Sequence, residues 1–236
     1  MNTLPKGMLI DLDDTILAFD TVSDESWEST LQEFQHQLLP VEATVLHAAI
    51  KVSAKRFWSD PARHQMGRMR LLWARTQIVG EAMDSINLHN PELAAAIAHV
   101  YETIRTDRIH PVEGAIDTLK ALRERQIRMV LVTNGDAPGQ RRKIERFHLP
   151  ALFDAILIEG ECGVGKPDAR IYHRALDALK MPPEDVWMVG DNLEWEVRGP
   201  QKLGIRGVWV NHRGIDLPPD GPVPYKIIRS LRELLQ

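Results

Sequence analysis

GMLIDLDDT, residues 7–15, joins a short apolar run to a cluster of aspartates. The run has the length and the Leu/Ile content of a strand that is buried on both faces of a parallel sheet. Asp11 and Asp13 stand two positions apart, so in an extended chain both side chains point to the same side. A polar turn capped by Asp14 and Thr15 would also fit this pattern. A divalent cation explains the close like charges better, because Mg²⁺ is bound by one or two carboxylates together with phosphate oxygens.

Four further apolar runs of this kind occur along the chain. Each is followed by polar or turn residues and then by a helical pattern; they are IRMVLV before Thr133, AILI before Glu159, VWMV before Gly190 and GVWV before Asn211. Strands that alternate with helices predict an α/β fold with a doubly wound parallel sheet. A last short strand and helix are expected after the Pro- and Gly-rich loop DLPPDGPVPY.

The first two of these strands are separated by far more chain than a βαβ connection of roughly 30 residues requires. The intervening sequence is helical in pattern, and four helices are expected. The clearest one has the apolar stripe Leu93, Ile97, Val100, Tyr101 and Ile104. The first is expected to begin with Ser23 or Asp24 as its cap and to end before Pro40. The predicted domains are an α/β catalytic core of residues 1–16 and 107–236 and an inserted all-helical cap of residues 17–106.

The bulk composition is that of a soluble globular protein, with 44% hydrophobic residues, 26% charged residues and a formal net charge of -4. This acidic balance argues against nucleic-acid binding, because affinity for the phosphate backbone depends on clustered Lys and Arg. Cys162 is the only cysteine, which excludes an intrachain disulfide and favours a reducing compartment. The N-terminal apolar run is too short for a signal peptide, and no run of about 18 apolar residues occurs. We therefore expect a cytoplasmic monomer or homodimer without a nucleic-acid or membrane partner.

GECGVGKPD, residues 160–168, is one substitution away from the nucleotide-binding P-loop G-x-x-x-x-G-K-[ST]. Gly160, Gly165 and Lys166 match that motif. Pro167 replaces the Ser or Thr whose hydroxyl binds Mg²⁺, and proline has neither a hydroxyl nor an N–H to offer. A working P-loop is therefore not expected, and the stretch alone would be a glycine-rich loop with a solvated lysine.

Polar side chains follow four of the predicted strands, where ligands bind in open α/β sheets. They are Asp11, Asp13 and Asp14 after the first strand, Thr133 and Asn134 after the second, Lys166 after the third and Asp191 after the fourth. All of these groups are expected to converge on one edge of the sheet. Lys166 would then belong to this edge.

These stretches resemble the four motifs of the haloacid dehalogenase-like (HAD) superfamily. The motifs are DLDDT at Asp11–Thr15, the threonine of VTNG at Thr133, the lysine of GKPD at Lys166 and the aspartate of GDNLEWE at Asp191. The match is specific because order, spacing and strand-end context agree. The resemblance implies a Rossmann-like core, a helical cap between the first two motifs, and a phosphatase that acts on a small phosphorylated molecule of the sugar phosphate or nucleotide type.

The resemblance also implies roles for the core residues. Asp11 would be the nucleophile that forms an aspartyl-phosphate. Asp13 would protonate the leaving alcohol and then accept a proton from the hydrolytic water. Thr133 and Asn134 would bind the phosphoryl group, and Lys166 would neutralise charge on the nucleophile and the phosphate.

The implied cofactor is Mg²⁺, held by the Asp11 carboxylate, the Asp13 carbonyl and Asp191. Two residues depart from the family pattern. Asp14 stands where glycine is frequent, and Glu196 stands where many relatives have aspartate. Their roles are left open by the sequence, although neither change removes a catalytic group.

Several other activities are compatible with the same scaffold. Asp13 favours phosphate esters over dehalogenation, since a halide leaves without a proton. A phosphonatase needs a particular cap lysine, and neither Lys51 nor Lys55 is singled out by a motif. A phosphoryl mutase needs an acid/base in the cap, for which there is no clear candidate. A non-catalytic protein that binds a phosphorylated ligand would be expected to have lost at least one of the motif residues.

The stretch KRFWSDPARHQMGRMR, residues 55–70, is the most unusual part of the predicted cap. Its cationic side chains, above all Arg63, His64 and Arg68, are candidate contacts for an anionic substrate. A solvated helix face with Trp58 in the cap core is an equally good interpretation. The segment weakly resembles the cap of the branch that includes N-acylneuraminate-9-phosphatase and nucleoside monophosphatases.

Overall fold

A computed structural model describes residues 4–236, so the first three residues of the predicted core lie outside the described residues. The chain divides into two compact units, one made of the chain up to Ala18 together with His110–Gln236 and the other of Phe19–Ile109. These boundaries fall two or three residues later than the expected ones at 16/17 and 106/107. Within the described residues, no helix combines the length and the apolar character needed to cross a membrane.

Eight strands are found in residues 4–236, and all belong to the first unit. They are β1 (Gly7–Ile10), β2 (Leu17–Ala18), β3 (His110–Pro111), β4 (Arg128–Thr133), β5 (Ala155–Ile158), β6 (Val186–Gly190), β7 (Arg206–Val210) and β8 (Lys226–Ile228). Six of them form a parallel sheet in the order β5-β4-β1-β6-β7-β8, and β2 pairs with β3 in an antiparallel ribbon. The sheet confirms the predicted parallel α/β fold.

The centre of the sheet is β1, whose four residues are all buried. Chain order explains this position, because β4 and β5 extend the sheet on one side of β1 and β6 and β7 extend it on the other. Ile10 lies beside Leu131 of β4 and Val189 of β6. The direction of chain winding thus switches at β1, and in open α/β sheets a crevice for ligands forms at the carboxyl ends of the strands at such a point.

Helices of the first unit connect the parallel strands. They are α7 (Ala115–Glu124), α8 (Ala137–Arg146), α9 (Glu159–Cys162), α10 (Ala169–Leu179) and α11 (Gly199–Gln201). The helix α10 is strongly amphipathic, and its buried residues Ile171, Ala175 and Leu179 pack with Leu9 and Val130 of the sheet in one hydrophobic cluster. The spacing of four residues places these side chains on one face of the helix.

The second unit contains six helices, and not the four expected from the sequence. They are α1 (Ser23–Glu33), α2 (Gln35–Leu38), α3 (Ala43–Ser59), α4 (Pro61–Arg68), α5 (Leu71–Ser85) and α6 (Pro91–Arg108). The first predicted helix is interrupted at Phe34, and a new helix begins after Asp60, whose side chain accepts a hydrogen bond from the Arg63 amide. Pro61 favours this start, because a missing N–H costs nothing in the first helical turn.

The start of α1 also differs from the prediction. Ser23 is its first helical residue, Val22 occupies the cap position, and no side chain caps this end. The Ser23 hydroxyl lies 2.8 Å from the Tyr101 hydroxyl of α6 instead. The Ser23 side chain, which the local sequence pattern assigned to a helix cap, therefore makes a tertiary contact instead.

The helical unit has its own hydrophobic core. Trp27 stacks on Tyr101 with ring centroids 3.6 Å apart, and Leu93 and Ile97 of the predicted stripe are buried with them. Trp58 is partly buried and packs against the same cluster. This placement agrees with the structural interpretation of Trp58.

Candidate active site

The aspartate that ends the central strand lies against a lysine from the loop before α10. Asp11 is 7% exposed, and its amide donates to the Val189 carbonyl of β6 at 3.0 Å, which continues the sheet pairing past β1. Lys166 Nζ lies 2.5 Å from Asp11 Oδ1. Two residues that are 155 positions apart in the chain are thus brought into direct contact.

Lys166 is completely buried and is shared between two carboxylates. Its second partner is Glu196 Oε1, at 2.8 Å. Burial disfavours the ammonium ion, but the charges of Asp11 and Glu196 outweigh this effect and raise the pKa of Lys166. Lys166 is therefore held in its charged form.

Glu196, whose role the sequence left open, is a structural partner of this lysine. It is fully buried within the π-helical turn Leu193–Arg198, and its Oε2 accepts from the Asn192 amide at 2.7 Å. Burial raises the pKa of the Glu196 carboxyl to about 7, although Lys166 opposes that shift. The longer side chain of glutamate is thus used to reach the lysine.

Asp191 follows β6 and contributes a third carboxylate. Burial, reinforced by the negative charge of Asp11, raises the pKa of the Asp191 carboxyl to about 9. Gly190 permits the close approach of Glu196 and Asp11, because a Cβ atom there would overlap Glu196 and lie 2.9 Å from Asp11 Cβ. The charges of Asp11 and Asp191 thus affect each other, with Lys166 as the cation that partly offsets them.

Asp14 adds a further negative charge and occupies an unusual backbone conformation. Its φ is 54°, in the left-handed region, and its amide donates to the Leu17 carbonyl at 2.7 Å. Glycine adopts this region without strain, and aspartate is among the few other residues that tolerate it. The backbone requirement explains a position at which both glycine and aspartate are acceptable.

Asn134 links the second motif to the third. Its Nδ2 donates to the Lys166 carbonyl at 2.8 Å, and its Oδ1 accepts from the Lys166 amide at 2.7 Å. The carboxamide, which the sequence assigned to phosphate binding, is thus occupied with the main chain of Lys166. Its observed position orients the loop that carries the lysine.

Asp13 and Thr133 both accept hydrogen bonds from Gln140, a residue that the sequence did not identify. Gln140 of α8 donates from Nε2 to Thr133 Oγ1 at 2.6 Å and to Asp13 Oδ2 at 3.0 Å. Lys143, one turn further along α8, donates to both Asp13 oxygens at 2.6 and 2.7 Å. The available signal was the i, i+3 spacing of Gln140 and Lys143, which places them on one face of the helix.

The candidate residues of the cap lie on α4 of the helical unit. Arg63 pairs with Glu81 at 2.7 Å, and Arg56 binds the other oxygen of the same carboxylate at 2.6 Å. Arg68 lies 3.3 Å from His64 Nδ1, one turn away on α4. His64 therefore lies next to Arg68, and Arg63 is bonded to an acidic side chain.

Donors for a metal ion at the core site are oxygen atoms. Within residues 4–236, no three His, Cys, Asp or Glu side chains are arranged so that they could hold a metal ion by themselves. Asp11 and Asp191 supply two carboxylates, and such hard oxygen ligands suit Mg²⁺, which keeps several positions for water and substrate phosphate. Burial and the neighbouring negative charges raise the pKa of Asp191, and a cation beside it would favour the ionised carboxylate.

A parallel α/β sheet with paired carboxylates and a buried lysine at the carboxyl ends of its strands defines a class of hydrolytic enzymes. The family model for haloacid dehalogenase-like hydrolases matches residues 5–204. The chain belongs to this family and is a hydrolase.

Individual relatives cover much or all of the chain. It is 31% identical to phosphoserine phosphatase of Thermus thermophilus over 97% of both proteins. It is 34% identical to human N-acylneuraminate-9-phosphatase over 61% of this chain and 58% of that protein. Among solved structures, the magnesium-bound HAD hydrolase YfnB of Bacillus subtilis is similar with a TM-score of 0.75 and 22% identity, over 98% of this chain and 97% of that one. This last similarity concerns the fold.

Proposed function

We propose that the protein is a Mg²⁺-dependent phosphatase that hydrolyses a small-molecule phosphomonoester through an aspartyl-phosphate. The single observation that carries the proposal is the buried contact between Asp11 and Lys166, with Asp13 two positions along the chain. The full-length similarity to a phosphatase supports the same reaction type. A carboxylate nucleophile must approach a phosphate dianion, and a neighbouring cation reduces their repulsion. Asp11 is buried next to such a cation.

The proposed Mg²⁺ would be held by the Asp11 carboxylate, the Asp13 carbonyl and Asp191. When bound, it would supply positive charge that reduces repulsion between the nucleophile and the phosphate. The excess of carboxylates over cations near Asp191 supports this assignment.

The proposed chemistry has two halves. In the first, a carboxylate oxygen of Asp11 attacks phosphorus, the bond from phosphorus to the ester oxygen breaks, and Asp13 gives its proton to the departing alcohol. In the second, Asp13, now a carboxylate, takes a proton from water, the water oxygen attacks phosphorus, and Asp11 is released with inorganic phosphate. One acid/base residue thus serves both halves.

Charge on the phosphoryl oxygens would be stabilised by residues of the second and third motifs. Thr133 would donate its hydroxyl hydrogen and Lys166 would contribute its ammonium charge. The contribution of Asn134 would come from its main-chain N–H, because its carboxamide is bonded to Lys166.

The proposed substrates are small phosphomonoesters of the sugar phosphate or nucleotide type. We assign their selection to the helical unit acting as a cap, with Arg63, His64 and Arg68 as contacts. We take Arg68, which lies 3.3 Å from His64, as the first target for mutation, and Arg63, which is bonded to Glu81, as the second. A screen of phosphate esters against Arg68→Met and the control Lys202→Met, which changes an exposed cation outside the helical unit, would test this assignment.

The proposed reaction is tested by phosphate release from 4-nitrophenyl phosphate with Mg²⁺ or with EDTA. Turnover should require Mg²⁺ and fall to background in Asp11→Asn, because the substituted amide is a poor nucleophile. Asp216→Asn, which changes an exposed loop carboxylate, is the matched control and should keep full activity. Turnover that persists in EDTA or in Asp11→Asn would contradict the proposal.

A further inference from the structure

The carboxylate of Asp13 is held on a defined face of α8. Lys143 Nζ contacts both of its oxygens at 2.6 and 2.7 Å, and the lysine side chain is only 10% exposed. Gln140, itself 4% exposed, contacts Oδ2 at 3.0 Å. Three hydrogen bonds from two nearly buried side chains restrict both the position and the rotation of this carboxylate.

Gln140 connects Asp13 to the threonine of the second motif. Its Nε2 has acceptors on Asp13, on Thr133 Oγ1 at 2.6 Å and on the Asn134 carbonyl at 2.7 Å. A carboxamide nitrogen carries two hydrogens, so these acceptors share them. Thr133 Oγ1 accepts from Gln140 and donates its own hydrogen to the Asn134 carbonyl over a long 3.4 Å, a weak bond that a phosphoryl oxygen would replace.

The N-terminus of α8, the helix that carries both side chains, is capped. Asp136 caps α8, and its side chain accepts from the Gly139 amide at 2.8 Å. Gln140 and Lys143 follow in the first two turns, on the face that is buried. A capped helix provides a more rigid support than a loop for groups that must hold a reacting side chain in place.

Charge also favours this arrangement. Asp11 and Glu196 contact Lys166, and burial together with the negative charges of Asp11, Glu196 and Asp14 raises the pKa of the Asp191 carboxyl. The Lys143 ammonium adds a second fixed positive charge on the side of Asp13. It therefore limits repulsion between the ionised form of Asp13, which takes the proton from water in the second half of the reaction, and the other carboxylates of the edge.

We propose that Lys143 and Gln140 are positioning residues for the reaction: Lys143 sets the orientation of Asp13 towards the leaving-group oxygen, and Gln140 aligns Asp13 with the Thr133 hydroxyl. This inference rests on the proposed phosphatase function. Neither side chain donates a proton to the substrate. Their effect is exerted through Asp13 and, for Gln140, also through Thr133.

The proposal makes the loss of activity dependent on the leaving group. An alkyl phosphate such as glycerol 1-phosphate releases an alcohol that needs a proton from Asp13, whereas 4-nitrophenolate leaves as a stable anion. Lys143→Met and Gln140→Leu should lower kcat/KM for the alkyl ester by about tenfold or more, a fraction of what a general acid contributes. The loss with 4-nitrophenyl phosphate should be several times smaller.

The matched variants separate this role from a structural one. Arg142→Met removes an exposed cation from the same helix and should leave both substrates unaffected. Lys143→Arg keeps the positive charge and should recover much of the alkyl-ester activity. If Lys143→Met unfolds at the assay temperature, Lys143→Gln, which retains a donor without the charge, provides the same comparison of the two esters.

Inhibition by inorganic phosphate distinguishes the two positioning residues. Gln140→Leu should raise the inhibition constant of phosphate about threefold to tenfold, the equivalent of one hydrogen bond, because the Thr133 hydroxyl is no longer aligned. An unchanged constant would overturn the part of the proposal that concerns Thr133.

Two results would overturn the proposal in different ways. If the wild-type protein hydrolyses neither ester with Mg²⁺, the phosphatase function fails and this inference fails with it. If the wild-type protein is active but Lys143→Met and Gln140→Leu lower both activities by the same factor, the function stands and the positioning role is wrong. Equal loss would indicate a general effect on folding.

Discussion

Lys166 is an ammonium ion in a place from which the surrounding side chains exclude water. A buried charge is tolerated only when partners compensate for its lost hydration. Asp11 and Glu196 provide that compensation at 2.5 and 2.8 Å. One of these partners is the proposed nucleophile, so the other must hold the lysine whenever Asp11 is engaged in covalent chemistry.

Glu196→Gln should therefore affect both stability and catalysis. The substitution leaves Lys166 with one charged partner, and we expect unfolding free energy to fall by about 1–3 kcal/mol. Urea denaturation would measure this change, and steady-state kinetics should show a lower kcat. Glu194→Gln, two positions away and exposed, is the control, since exposed ion pairs such as Glu194–Arg198 contribute about 0–1 kcal/mol. Equal stability of the two variants would contradict the role given to Glu196.

At the scale of the secondary-structure element, two helical glycines differ in the space that is available for a side chain. Gly80 lies in the interior of α5, and a Cβ atom there would meet nothing within 4 Å. Gly67 lies in α4, where a Cβ atom would come within 2.8 Å of Phe57 and 2.9 Å of Trp58. The same substitution should thus have opposite signs at the two positions.

Gly80→Ala should stabilise the protein by about 0.5–1 kcal/mol, because alanine loses less backbone freedom on folding than glycine does. Gly67→Ala should lower stability, because the aromatic side chains beside it must move. Thermal unfolding of both variants would measure the difference. A stabilising effect at Gly67, or a destabilising one at Gly80, would contradict the packing described for these helices.

The elements also show what the sequence could and could not predict. The buried strands were predictable because apolar runs such as VWMV must be covered on both faces. The proximity of Asp11 and Lys166 was predictable in turn, because both residues follow strands of one parallel sheet. The break at Phe34 was not predictable, because no Gly or Pro marks it and packing of the helical unit decides it. The roles of Gln140 and Lys143 depend on how α8 is rotated against the sheet, which side-chain packing determines.

At the scale of the whole molecule, a carboxylate with a raised pKa makes stability depend on pH. The pKa of Asp191 is about 9 in the folded, metal-free protein, against 3.8 for a solvated aspartate such as that of the unfolded chain. Between these values the folded protein holds a proton that the unfolded chain releases. Stability is therefore greatest below the lower value and is lost as pH rises towards the higher one.

We predict that in EDTA the melting temperature falls as pH rises from about 5 to about 9. Asp191→Asn should flatten this dependence, since the amide does not titrate, whereas Asp216→Asn, which changes an exposed carboxylate, should leave it unchanged. Saturating Mg²⁺ should remove most of the loss at high pH, because a cation stabilises the ionised carboxylates. A melting temperature that rises with pH in EDTA would contradict the assignment.

The ribbon of β2 and β3 has a consequence for how this chain could diversify. Leu17 pairs with Pro111 and Ala18 with His110, so the polypeptide leaves the α/β unit and returns to it at adjacent points. In connectivity, all of Phe19–Ile109 is the loop of a β-hairpin. Closing a loop costs entropy that grows only with the logarithm of its length. Helices can thus be added, removed or exchanged in that loop at little cost to the remaining unit, so recognition can evolve without rebuilding the chemistry.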